Sequence, residues 1–387
     1  MRDRVVMNQK VLCKKRGYSR LGVMLVMAFV VLMTCGMRVQ AAEYAVAPFA
    51  AYMYTGEGAE LFAEPDPLTL AAVFPGDLPI QITGITSNGY YQILVNGLIY
   101  YMHGSALSTK TGTTAYKLTS IDAKAALVAD LATGEIIYQQ NMLDRLVPAS
   151  TTKVMTTLLV LEAISQGNIA LDTPVVVSST ALAGVPSDAS HVNPRLKAGE
   201  VLNVLSLLEA VMIKSDCHAC NVLAELVAGS VDNFVALMNM KAAALGCVDT
   251  NFVNTSGYPA NNHYTNAYSL SLIMREALKY QTFQTIIGLK TVEIPATNLS
   301  KVRKLENTNA LILSGDYYNP YVIGGKTGYC KASKNCLVTA AIKDGEGLIT
   351  VILGAQTNTM TDGTVVKQQF SETNKLIEIG FATLAAS

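Results

Sequence analysis

Short alternating and apolar runs dominate the first part of the chain. Residues 78–83, 90–95 and 98–102 are rich in β-branched and aromatic side chains. Asn88-Gly89 and Asn96-Gly97 separate them, and Asn-Gly between such runs is a strong hairpin signal. Pro65, Pro67, Pro75-Gly76, Pro79 and Gly84 punctuate the rest of this segment. The pattern predicts a small all-β barrel over 44–108, followed by a polar Gly/Thr-rich linker over 109–116. From about Lys117 the period changes. Strands at 125–131 and 135–140 flank Ala132-Thr133-Gly134 as a hairpin, and a helix is expected over 154–161. Apolar residues at helical spacing then mark 202–213, 218–228, 231–245 and 266–280, with Gly246 closing one of these helices. Strand runs return at 321–328, 336–343 and 348–354, before a final helix over 365–383. Strands at both ends with helices between them predict one α+β domain over 117–387, its sheet closed by both ends of the segment.

The first forty residues follow another rule. A basic lead (Arg2, Arg4, Lys10, Lys14, Lys15, Arg16, Arg20) precedes an apolar run at 21–33, and Val39-Gln40-Ala41 offers a small-residue exit. That order describes a secretory signal over 1–41, with an uncleaved N-terminal anchor as the other reading. An exported protein is therefore expected, in the wall or held at the outer face of the cytoplasmic membrane. The segment holds eight of the 29 basic residues and one of the 29 acidic ones. Without it the chain carries a net charge near −7, which argues against nucleic acid as a partner. Half the chain is apolar and 15% is charged, enough for a sizeable core. Five of the seven cysteines lie beyond residue 41. Five is odd and too few for a disulfide scaffold of this length.

Three short motifs carry candidate chemistry. Pro148-Ala149-Ser150-Thr151-Thr152-Lys153 opens an apolar helix, and residues three apart share a helical face, so Ser150 and Lys153 can meet. A serine hydroxyl needs a base to become a nucleophile, and a lysine that is buried or near another cation can serve. Gly324-Gly325-Lys326-Thr327-Gly328 lies in an apolar strand, where glycines mark close approach of another backbone. The expected visitor is a peptide-like substrate, with Lys326 and Thr327 facing its carboxylate. Ser215-Asp216-Cys217 sits between two helices.

Together and in this order, the trio resembles the penicillin-interacting serine enzymes, whose motifs are S-x-x-K, S-x-N and K-T-G. The stretch from Lys117 onward is most similar to the low-molecular-weight D-alanyl-D-alanine carboxypeptidases. Asn239 to Thr250 with Asn251-Phe252-Val253-Asn254, Asn262-His263-Tyr264-Thr265 and Asn307-Thr308-Asn309 extend the likeness. The resemblance implies a β-lactamase/transpeptidase-like domain, an antiparallel sheet with a helical half, that acts on peptidoglycan stem peptides ending in D-Ala-D-Ala. It implies no cofactor and no metal, and covalent inhibition by β-lactams. Ser150 would attack, with Lys153 as base and the backbone N–H groups of Ser150 and Tyr329 holding the oxyanion. Ser215 would relay a proton, and Lys326, Thr327 and Gly328 would flank the terminal carboxylate. Residues 80–84, 88–93 and 100–102 similarly resemble bacterial SH3-like modules, which implies a wall or protein ligand or a mere spacer.

The sequence also departs from the family pattern. Cys217 stands where an amide is usual in the substrate-binding position, and a thiol is a weak donor. Cys330 replaces a Thr, and Ser269 an Asp. Cys217-His218-Ala219-Cys220 has a metal-like spacing, but four ligands are needed and no second Cys/His cluster exists, so buried thiols are expected there. His263 is expected to pack or hydrogen-bond beside the cleft. A β-lactamase would need a further deacylating base, and no glutamate motif of that kind lies between Cys217 and Lys326. A D,D-transpeptidase and an inert wall-binding protein remain the rival readings.

Overall fold

The computed structural model describes residues 46–108, apart from 57, 75–78 and 96–97, and residues 121–385, apart from 248 and 361–362. The expected signal over 1–41 and the linker over 109–116 lie outside the described residues. The chain divides between Gly112 and Thr113 into two compact units.

In the first unit, alternation produces strands β1 (Val46–Thr55), β2 (Ala59–Phe62), β3 (Leu70–Phe74), β4 (Pro79–Thr86), β5 (Tyr90–Val95), β6 (Leu98–His103) and β7 (Leu107–Ser108). They form a seven-stranded antiparallel sheet in the order β3-β2-β6-β5-β4-β1-β7. The Asn88-Gly89 pair turns β4 into β5, with Gly89 at φ 85°. Its buried face gathers Ala59, Leu61, Ile80, Ile82, Ile93, Met102 and Leu107. Ile80 and Ile82 are two apart, as a strand with one buried face requires.

The second unit opens on the expected hairpin, β8 (Ala125–Asp130) and β9 (Ile136–Gln140). A 3₁₀ turn (Ala149–Thr152) runs into α1 (Lys153–Ser165), and β10 (Pro174–Val176) and α2 (Ser179–Leu182) follow. The helix expected over 202–213 starts as a strand, β11 (Val201–Asn203). Asn203 accepts from the Ser206 N–H and so caps α3 (Val204–Ile213). Next come α4 (Cys217–Ala228), α5 (Val231–Ala244) and α6 (Ala267–Ala277). Gly229, left-handed at φ 76°, separates α4 from α5, a backbone region that glycine enters without steric cost. Helix α7 (Gln281–Gly288) and the hairpin β12 (Thr291–Ile294) and β13 (Arg303–Glu306) were not anticipated. Each is eight residues or fewer, too short for a periodic signal. Three long strands then return, β14 (Val322–Cys330), β15 (Lys334–Lys343) and β16 (Glu346–Ala355). After the short pair β17 (Thr357–Thr359) and β18 (Val365–Lys367), α8 (Gln368–Leu384) ends the unit.

The main sheet is antiparallel throughout, in the order β14-β15-β16-β8-β9. Strands from both ends of the unit therefore meet, as expected for one α+β domain. Phe370, Leu376, Ile377 and Phe381 of α8 bury themselves on Val128, Leu348 and Ile352. Helix α1 is buried along nearly its whole length, as a helix apolar on every side must be. Strand β14 is an edge strand, so one of its backbone sides is free to line a cleft.

A buried ion pair braces the loop between α2 and β11. Arg303 on β13 pairs with Glu200 through Nη1–Oε1 at 2.8 Å and Nη2–Oε2 at 3.0 Å, and its Nε donates to the Pro194 carbonyl at 2.6 Å. Burial pushes the Glu200 carboxyl up, but the guanidinium and the Thr297 hydroxyl outweigh it and hold it below the usual range. This fork ties residues 194–200 to the β12–β13 hairpin.

Candidate active site

Ser150 occupies the 3₁₀ turn that launches α1. Ala149 before it is left-handed at φ 48°, and the Thr151 hydroxyl ties the turn by donating to the Pro148 carbonyl at 2.7 Å. The i, i+3 spacing delivers the expected contact, for Lys153 Nζ donates to Ser150 Oγ at 2.9 Å. Lys153 is fully buried. Its other partners are the Ser256 carbonyl at 2.6 Å and Cys217 Sγ at 3.5 Å. An ammonium has three protons to place, and all three directions are filled without a carboxylate. This is an arrangement in which the amine can exchange a proton with Ser150 rather than be locked into an ion pair.

The turn between α3 and α4 supplies the second wall. Ser215 is left-handed at φ 63°, and its buried Oγ has no hydrogen-bond partner among the described residues. A buried hydroxyl without a partner is costly unless something binds it. Asp216 is fully buried. It caps α4 by accepting from the Ala219 N–H at 2.8 Å, and it accepts from the Val192 N–H at 2.6 Å. Cys217 N–H donates in turn to the Ser190 carbonyl at 2.9 Å. The middle motif is thus zipped to the loop at 188–192.

Strand β14 forms the third side, and here the glycine expectation needs correcting. Gly324 and Gly325 make room for the protein's own chain, not for substrate. A Cβ on Gly324 would lie 2.5 Å from the Ile287 carbonyl, and one on Gly325 2.3 Å from the Val338 carbonyl. Gly328 does face the site, where a Cβ would stand 3.0 Å from Ser150 N and 3.1 Å from the Pro148 carbonyl. Between them, Lys326 is buried and donates to the Thr327 carbonyl at 2.9 Å. Burial first, and the Lys153 charge second, bring its pKa down to about 7. The Thr327 hydroxyl meets that of Thr308 at 2.6 Å.

Ser150, Ser215, Thr327, Gly328 and Tyr329 all line one cleft of about 570 Å³. Lys153, Cys217 and Lys326 are buried against it, so all eight residues chosen from the sequence converge on one region. Thr308, Asp216 and Ser256 were missed as contributors, although Asn307-Thr308-Asn309 had been singled out as a phrase. Cys330 N–H donates to Ser333 Oγ at 3.0 Å. Cys220 donates to the Asp216 carbonyl at 3.2 Å, and burial pushes its thiol well up. All five described cysteines are free thiols.

His263 behaves as a hydrogen-bonding residue beside the cleft. Nδ1 accepts from the Val253 N–H at 3.2 Å, which leaves Nε2 to donate to Thr152 Oγ1 at 3.0 Å. Burial and the Lys153 charge lower its pKa from 6.5 to about 4. The unfolded chain therefore takes up this proton first as pH falls. The associated stability is complete above pH 6.5 and is lost progressively down to pH 4. The loss amounts to ~3 kcal/mol at most. Thermal melts from pH 7 to pH 4 are expected to fall more steeply for the wild type than for His263→Gln. Parallel curves would show that another group governs the acid limb.

Comparison with known proteins agrees with this geometry. The family model described as D-alanyl-D-alanine carboxypeptidase matches residues 109–357. The D-alanyl-D-alanine carboxypeptidase DacF of Bacillus subtilis is 32% identical over 290 residues, covering 75% of this chain and 70% of that protein. The D-alanyl-D-alanine carboxypeptidase DacC of Escherichia coli is 33% identical over 263 residues, covering 68% of this chain and 62% of that protein. The crystal structure of the Streptomyces K15 DD-transpeptidase superposes with a TM-score of 0.60 at 29% identity, over 68% of this chain and 98% of that one. With a serine and lysine paired at the head of α1, a second serine opposite them and Lys326-Thr327-Gly328 on the adjoining edge strand, this chain belongs to the D-alanyl-D-alanine carboxypeptidase family.

Proposed function

We propose that this chain is a serine carboxypeptidase that removes the terminal D-alanine from peptidoglycan stem peptides through an acyl-enzyme on Ser150. The observation that carries the reading is the buried Lys153 amine, 2.9 Å from Ser150 Oγ and without a carboxylate partner among the described residues. In its neutral form Lys153 keeps its two protons on the Ser256 carbonyl and the Cys217 sulfur, and its Nζ lone pair takes the Ser150 proton as Oγ bonds to the carbonyl carbon between the two D-alanines. The oxyanion rests on the backbone N–H groups of Ser150 and Tyr329, each such donor being worth ~3 kcal/mol in the transition state. Ser215, whose hydroxyl lacks a partner among the described residues, passes a proton to the departing amine as the C–N bond breaks. Lys326 and Thr327, with Thr308 beside them, hold the carboxylate of the leaving D-alanine. Water then adds to the ester and releases Ser150. A β-lactam follows the same path as far as the acyl-enzyme.

The likeness to a DD-transpeptidase favours a second reading, in which an amine takes the place of water. Diacetyl-L-Lys-D-Ala-D-Ala separates the two when free D-alanine and acyl products are followed with and without a D-amino acid acceptor. Release without acceptor supports the carboxypeptidase. Aminolysis alone supports the transpeptidase, and neither product, with no labelling by fluorescent penicillin, would overturn both. Export through the signal at 1–41 and wall binding by an SH3-like sheet at 44–108 belong to the same proposal. The basic-apolar-small order and the seven-stranded sheet support them.

A further inference from the structure

Carboxylate binding uses the end of the cleft at Lys326 and Thr327, and leaves the far end without a task. Ser150 N packs against Gly328, so a scissile bond held there has its leaving group toward Thr327 and its acyl part toward Tyr329 and Cys330. The wall at that end carries an exposed acid. Asp188 lines the cleft, and the Tyr258 hydroxyl donates to its Oδ1 at 2.9 Å, leaving Oδ2 open. The Cys217 N–H donates to the Ser190 carbonyl at 2.9 Å, so the segment that carries Asp188 stands beside Cys217, and Asp188 shares the cleft lining with Tyr329 on the acyl side.

Two separate loops hold this pair. Asp188 belongs to the segment that Asp216 and Ser190 tie to the head of α4. Tyr258 belongs to the turn closed by Asn254, whose Oδ1 accepts from the Gly257 N–H at 2.8 Å and whose Nδ2 donates to the Tyr258 carbonyl at 2.8 Å. The other ionisable groups on the lining are Lys214, Lys367, His191 and the Tyr329 phenol, none of them a carboxylate. A cationic side chain entering the cleft has Asp188 as its one carboxylate there.

We propose that Asp188, oriented by Tyr258, recognises the free side-chain amine of the diamino acid that precedes D-Ala-D-Ala in the stem peptide. This rests on the carboxypeptidase reading. An extended peptide advances about 3.3 Å per residue, so the third residue from the end stands about 7 Å from the terminal one. Its side chain reaches ~6 Å further. Strand β14 covers roughly 10 Å from Thr327 to Cys330 by the same rise, so that amine reaches past Tyr329, on the cleft lining that Asp188 shares. Oδ2 of Asp188 would accept one charge-assisted hydrogen bond from the ammonium, while Tyr258 keeps Oδ1 occupied and the carboxylate in place.

The test compares two substrates in the intact protein, Nα-acetyl-L-Lys-D-Ala-D-Ala with its ε-amine free and the same peptide with that amine acetylated. The wild type is expected to favour the free amine at least tenfold in kcat/KM at neutral pH. In Asp188→Asn that ratio should fall to about one, and Asp188→Lys should invert it. Tyr258→Phe should reduce the ratio in part. Penicillin labelling, which needs no such amine, reports whether each variant keeps its acylating centre. Equal use of both peptides by the wild type would overturn the proposal, as would a preference that survives in Asp188→Asn. If Asp188 only braced the two loops, both peptides would lose rate together and the ratio would not move. Failure of the wild type to release D-alanine from either peptide would instead sink the carboxypeptidase reading, and this inference with it.

Discussion

Ser150→Ala is expected to lose D-alanine release by at least on the order of 10³-fold and to form no adduct with fluorescent penicillin. No other hydroxyl on the cleft lining has a lysine amine as a hydrogen-bond partner among the described residues. The Lys153 amine is within 2.9 Å of Ser150 Oγ, but its remaining protons point to the Ser256 carbonyl and the Cys217 sulfur. The nucleophile and its base act as a unit, and losing either member of such a unit costs nearly as much as losing both. Lys153→Met should therefore be similarly impaired, and the double variant no worse than the single ones. Ser150 contributes little to packing, so the melting temperature of Ser150→Ala should stay within a few degrees of the wild type. A penicillin adduct that persists in the variant would move the nucleophile elsewhere, with Ser215 the first residue to test.

Gly257→Ala should be the most damaging small substitution outside the three motifs. Gly257 is left-handed at φ 77°, and a Cβ there would lie 1.7 Å from the Ala149 carbonyl oxygen and 2.7 Å from Thr152 Oγ1. The same substitution at Gly167 is the control. That residue is left-handed at φ 75° and a Cβ would meet nothing within 4 Å, so only the cost of holding an L-residue left-handed, about 1–2 kcal/mol, applies. At Gly257 the overlap with backbone adds a further 1–3 kcal/mol or so of overpacking. Relief of the clash would push Ala149-Ser150 away from Lys153 and Gly328. A misplacement of about 1 Å can cost ~10² in rate. Calorimetric melts and acylation rates of the two variants should separate widely. If they coincide, the close approach of Gly257 to the nucleophile turn has no functional weight.

Parts of the site that depend on neighbours in sequence were legible. Ser150 and Lys153 are three positions apart, and a helical turn alone brings them together. The gathering of Ser215 and Lys326 onto the same cleft came from family resemblance, because no local rule links positions over 60 and 170 residues away from Ser150. Asp216 looked like the filler of a motif, and only the folded chain shows it fixing the loop at Val192. Thr308 and Ser256 acquire meaning by what stands opposite them, the Thr327 hydroxyl and the Lys153 ammonium. The glycine reading was half right for a related reason. Sequence indicates that a glycine makes room, and the tertiary structure decides for whom, which for Gly324 and Gly325 is the protein's own backbone.

The fold divides along the same line. Period-two and helical spacing determined the strands at 90–95 and 98–102, the β8–β9 hairpin and the helices α4 and α5, since burying one face of an element is a local demand on its sequence. Short pieces such as α7 and the β12–β13 hairpin hold few periodic positions and take their form from the loops and helices they pack on. What the sequence by itself determined is a two-part chain with an α+β domain and a serine–lysine pair at the start of a helix. Only the tertiary structure decided that Lys153 is surrounded by uncharged partners, that Lys326 is buried near a second cation and that Asp188 lines the cleft. Burial, charge and hydrogen-bond partners are properties of the space around a side chain, and that space is filled by residues remote in sequence.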